Sequence, residues 1–136
     1  MSVSLHVGVH DYPIGAGDFF NCFFSTVCVR LEASTWGSRF PTVMRDLYAG
    51  GLKPSQVELA MTELEQIERE LARLQPDEVV WDVEDRAAIP PWGTDISPEI
   101  TSLRDYFVTM DGKDLLDVLD SALSDAQREG KSVAVY

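Results

Sequence analysis

Residues 18–31, with phenylalanine at positions 19, 20, 23 and 24, constrain this chain more than any other stretch. On a helix of about 3.6 residues per turn, Phe19, Phe20, Phe23, Phe24, Val27 and Leu31 fall on one side. That much apolar surface is unfavourable in water, so the helix must be core, covered by whatever flanks it in sequence. Asp18 is placed to cap its first turn. The chain's two cysteines, Cys22 and Cys28, lie in the same helix, where a six-residue offset turns one roughly 240° from the other. Two buried thiols are therefore expected rather than a disulfide, which suits a reducing compartment.

The covering elements are read from periodicity. Val3, Leu5, Val7 and Val9 alternate with Ser4, His6, Gly8 and His10, the pattern of a half-buried strand, and Tyr12 to Gly17 reads as a turn-rich connection. After a break at Ser34–Ser38, Pro41 opens a short helix from Thr42 to about Tyr48, which Gly50-Gly51 stops. Pro54 opens a longer one. There Val57, Ala60, Met61, Leu64, Ile67, Leu71 and Leu74 recur at helical spacing, leaving Glu58, Glu63, Glu65, Arg69 and Glu70 for the wet face. Glu78 to Val83 is short and β-branched and is expected to be a second strand. Arg86 to Ser97 reads as an ordered loop that buries Ile89 and Trp92, followed by a helical turn over 97–105 and an extended 106–109 closed by the turn Asp111-Gly112. A last helix over 114–129 ends on Gly130, and 132–136 is a closing strand. The expectation is one α+β domain over residues 1–136, a small three- to four-stranded sheet covered by about four to five helices.

Charge narrows the partners. The formal charge is −12, and residues 76–136 carry 14 acidic and 5 basic side chains against 9 and 6 in residues 1–75. Such a field repels nucleic acid and anionic membranes and attracts a basic protein, although acidity also serves plain solubility. The N-terminal residues lack the basic and apolar regions of a signal peptide, and no stretch reaches the ~18 apolar residues of a membrane helix. A cytoplasmic location is expected.

Catalytic patterns are sparse. His6 and His10, read on one strand, would share a face roughly 13 Å apart at about 3.3 Å per residue, too far for one zinc ion. Gly15-Ala16-Gly17 lies between a strand and a helix, but Phe20 stands where a dinucleotide fingerprint needs its third glycine. Asp82, Glu84 and Asp85 form the densest acid group, which could hold Mg²⁺ in a small metal-dependent hydrolase, yet only Arg86 is close enough to serve a phosphate substrate. A solvated or partner-facing patch is the simpler reading. With no nucleophile elbow and no phosphate-binding loop, neither catalysis, nor a cofactor, nor a metal is expected. The loop tryptophans Trp36 and Trp92, together with Trp81, either anchor a partner or plug the ends of the core with their N–H on a backbone carbonyl.

Several blocks occur together in order. They are Asp18-Phe19-Phe20 with Phe23-Phe24-Ser25-Thr26, Trp36-Gly37-Ser38-Arg39-Phe40-Pro41, Leu47-Tyr48-Ala49-Gly50, Val80-Trp81-Asp82-Val83-Glu84-Asp85, Pro90-Pro91-Trp92-Gly93 and Tyr106 to Gly112. In that order and spacing they resemble the immunity protein 70 family of bacterial polymorphic-toxin systems, over about residues 5 to 130. Met110 stands where members of that family carry serine, a minor departure. The resemblance implies a cytoplasmic protein that binds and neutralises a cognate toxin, and it brings no catalytic residues. An acidic inhibitor would suit a toxin that is basic because it handles nucleic acid. The partner-binding residues expected on this reading are Trp36, Arg39, Asp82, Glu84, Asp85, Trp92 and Asp111, with the oligomeric state open.

Overall fold

The computed structural model describes residues 2–93 and 95–136; Met1 and Thr94 lie outside the described residues. The chain opens with a hairpin, β1 (Ser2–Val7) paired antiparallel with β2 (His10–Ala16). The connection expected over Tyr12 to Gly17 is thus largely strand, because the turn comes earlier. Gly8, at φ 57°, takes the left-handed conformation that glycine adopts without strain, and Val9 stands 92% exposed at the tip. Pro13 is tolerated because β2 is an edge strand, where a missing N–H breaks no ladder. A register shift beside Val3/Ser4 leaves Ile14 unpaired and turns it into the core.

The turn also overturns the expected placement of the histidines. His6 pairs with Asp11 and His10 with Val7, so the two rings stand on opposite faces of the hairpin. His6 Nδ1 lies 2.6 Å from Asp11 Oδ1, with its ring stacked on Tyr136 at 3.9 Å between centroids. His10 reaches Glu129 at 2.8 Å.

The sheet has the order β2-β1-β4-β3 and is antiparallel throughout, with β3 at Gly51–Leu52 and β4 at Val133–Val135. The closing strand was legible; β3, two residues long, was not. It exists because Gly51 lets two backbones approach: a Cβ there would lie 2.0 Å from the Val133 carbonyl oxygen. The inner face carries the buried Leu5, Val7, Leu52 and Val133.

Of three α-helices of equal length, α1 (Gly17–Leu31) and α3 (Leu115–Glu129) pack on the sheet, while α2 (Val57–Leu71) packs on α3 and α1. Of the phenylalanine run, Phe20, Phe23 and Phe24 are buried and packed ring edge to ring face, as their spacing demands, while Phe19 is only half-buried. Asp18 lies in the first turn of α1 but makes no capping hydrogen bond, the N-cap being Ala16. Cys22 and Cys28 are free and buried, and burial pushes the Cys22 thiol up to about 12. Asp114 caps α3 by accepting from the N–H groups of Leu116 and Asp117, and Gly130 ends it in the left-handed conformation.

Two expectations fail for one reason: buried polar groups took over from periodicity. Glu78–Val83 is not a strand. A 3-10 turn at Pro76–Glu78 leads into an irregular segment laid along α1, where Thr26 Oγ1 both accepts from Val80 N at 3.0 Å and lies 3.1 Å from Val80 O, and Ser25 Oγ accepts from Val83 N. Those hydroxyls supply the partners a neighbouring strand would have given. Glu63, expected on the wet face of α2, is buried. Its carboxylate accepts from Thr42 N and Val43 N at 3.3 and 2.9 Å, satisfying the start of a π-helical segment, Thr42–Leu47.

Candidate partner-binding face

Trp36 is half-buried in the loop after α1. Its Nε1–H donates to Met44 O at 2.7 Å, and its ring stacks on Phe24 and meets Tyr48 edge-on. The loop owes its shape to Glu32, buried at the end of α1, whose carboxylate accepts from the N–H groups of Gly37, Arg39 and Phe40, each at 3.0 Å. Arg39 is held by a two-point pair with Glu70 of α2 at 2.7 and 2.5 Å, by Leu31 O, and by the ring of Phe40 beneath its guanidinium at 4.8 Å. The pair holds the Glu70 carboxyl below the usual range and raises Arg39 further.

Asp82, Glu84 and Asp85 occupy one turn, in which Asp82 Oδ1 accepts from Glu84 N and Asp82 O from Asp85 N. Glu84 and Asp85 are exposed. A polar chain runs from this turn to the Trp36 loop: Val83 N to Ser25, Ser25 to Asn21, Asn21 to the Tyr48 hydroxyl. Among the described residues, no three His, Cys, Asp or Glu side chains converge as a metal-binding group.

Trp92 is the most exposed of the tryptophans, at 46%. It is nonetheless pinned, with Nε1–H donating to the Tyr106 hydroxyl at 2.6 Å, Trp81 edge-on at 5.3 Å and Phe19 at 6.4 Å. With Phe19, Asp95, Ile96, Ser97, Ile100, Tyr106 and Val108 it lines a hollow of about 260 Å³. Val108 and Met110, both exposed, flank the buried Thr109 on the extended segment that ends at the Asp111-Gly112 turn. That segment docks on β2 through Met110 N and Ile14 O. Asp111 accepts from Thr109 Oγ1 at 2.5 Å, which holds its carboxyl below the usual range. It lines a separate groove of about 350 Å³ with Asp11, Tyr12, Asp114, Asp117 and Lys113. Arg104 already pairs with Asp114 and Asp117 there.

Trp92 packs on Trp81, the residue before Asp82, while Asp111 lines its own groove and Trp36 and Arg39 are tied into the loop after α1. Phe19 was expected in the core rather than at a surface site, and Ile96, Ile100, Tyr106 and Val108 are not among the expected partner-binding residues. The one available signal was the alternation of Val108, Thr109 and Met110, which puts two large apolar side chains on the same side of an extended segment.

Fold and face together define a small α+β protein whose most built surface features are an apolar hollow and acidic turns. Residues 5–135 match the family model described as Immunity protein 70, and the chain belongs to that family. No curated protein and no solved structure matches it.

Proposed function

We propose that this chain is a toxin-neutralising immunity protein, which binds a cognate bacterial polymorphic toxin in the cytoplasm and inhibits it without catalysis of its own. The observation that carries the reading is the family match over residues 5–135. The class of toxin is argued from charge. With −12 overall, and most of it in residues 76–136, the chain suits a basic, nuclease-type toxin, which it would capture quickly through electrostatic steering. Trp92, Asp82, Glu84, Asp85 and Asp111 form or border the interface, with Trp36 and Arg39 at its far margin. The test is co-expression with the toxin domain of the neighbouring open reading frame. Rescue of growth, with recovery of a one-to-one complex, supports the reading; unrelieved toxicity and no complex would refute it.

A further inference from the structure

We propose that the hollow between Phe19, Trp92, Ile96, Ile100, Tyr106 and Val108 receives one large apolar side chain of the toxin, and that the carboxylates at its rim hold lysine or arginine residues flanking that side chain. The inference rests on the toxin-binding reading and specifies where, and to what chemistry, binding occurs.

Three observations converge. At about 260 Å³ the hollow falls just below the roughly 300–1,000 Å³ of small-molecule sites, a size suited to a single anchoring side chain. Its wall is pre-organised: the one polar group of Trp92 is satisfied by Tyr106 and its ring is wedged against Trp81 and Phe19, so the outward indole surface is apolar and already ordered. Little side-chain entropy remains to be lost on binding. Trp92 and Val108, both large and exposed, line the hollow, with Met110 two residues beyond on the same side of its segment. Scattered exposed apolar residues carry no such meaning, but a contiguous group around a hollow does.

Charge decides the occupant. Asp95 lines the hollow, Asp18 precedes Phe19, and Glu99 lies between Ser97 and Ile100. Among the described residues none of these three carboxylates is in an ion pair, and no lysine or arginine lines the hollow. A second copy of the chain would bring one −12 field against another. A segment with an apolar side chain between basic ones brings the complement on both counts.

The test uses the toxin domain supplied by co-expression, in an inactive form, against the whole chain and three variants. Val108→Arg puts a cation at the mouth of the hollow. Leu59→Arg makes the same charge change at an exposed apolar residue on α2. Asp95→Asn with Glu99→Gln removes two rim charges. Val108→Arg with an unchanged Tm should weaken the complex by about tenfold or more, with Leu59→Arg near wild type and the double variant slower to associate at low salt. Wild-type affinity in a folded Val108→Arg variant overturns the hollow as the docking site while leaving the immunity reading standing. If that variant fails to fold, an unchanged association rate in the double variant has the same force. No binding by the wild-type chain overturns both. A wild-type dimer in sedimentation that Val108→Arg dissociates assigns the hollow to a second copy and overturns the toxin segment as its occupant.

Discussion

Glu63 and Glu65 sit two positions apart on α2 and have opposite roles. Glu65 is exposed and pairs with Arg69 at 2.5 Å, an i,i+4 contact worth about 0.3–0.5 kcal/mol. Glu63, at 9% exposure, satisfies two N–H groups at the start of the π-helical segment. Removing it orphans buried donors, so Glu63→Ala should cost about 1–3 kcal/mol in urea unfolding, while Glu65→Ala should shift stability by less than about 0.5 kcal/mol. Equal effects would mean the carboxylate does not hold that turn. At Gly51, any side chain meets the Val133 carbonyl, so Gly51→Ala should separate β3 from β4, seen as faster amide exchange at Val135 N, which donates to Gly50 O. Trp36 divides the two readings of a loop tryptophan. With its N–H on Met44 O, Trp36→Phe should lower stability by about 1 kcal/mol and leave toxin affinity nearly intact.

At the scale of elements, the contact between α2 and α3 carries the clearest pH dependence. Glu68 of α2 lies between Arg104, at 3.0 Å, and Asp120 of α3. Burial first, then the hydrogen bond and charge of Asp120, push its carboxyl up to about 8, against the pull of Arg104. The folded chain then keeps a proton that the unfolded chain, with its usual value of 4.5, has released. Between those two values this group's contribution to stability falls as pH rises; below both it is fully present. Glu68→Gln, which keeps the shape and never ionises, should therefore raise Tm at pH 8 relative to wild type, with the gap closing towards pH 4. A gap constant with pH would remove the protonated Glu68 from the account. The same scale explains what could be read from the residues. α1, α2 and α3 were legible because each carries an apolar face at helical spacing, a property of the segment alone. The 78–83 segment has the composition of a strand, but its backbone is satisfied by Ser25 and Thr26 from a helix more than fifty residues away, and no local pattern encodes that.

For the whole molecule, charge is the property that any partner meets first. The association rate with a basic toxin should fall by about tenfold or more from low to high salt, measured by stopped-flow fluorescence of the tryptophans, while the dissociation rate changes less. A rate indifferent to salt would leave toxin binding in place and remove the basic-toxin reading. The residues by themselves determined the α+β class, the buried helices, the acidic field and the family, because hydrophobic period, net charge and ordered motifs are properties of a linear chain. Only the tertiary structure decided that the chain turns back at Gly8, that Glu32 and Glu63 face inward, and that Phe19, Trp92 and Val108, far apart in sequence, wall one hollow. Those outcomes depend on which distant groups meet, and the need of every buried N–H for an acceptor and of every apolar face for a cover selects among meetings that the linear pattern leaves equally open.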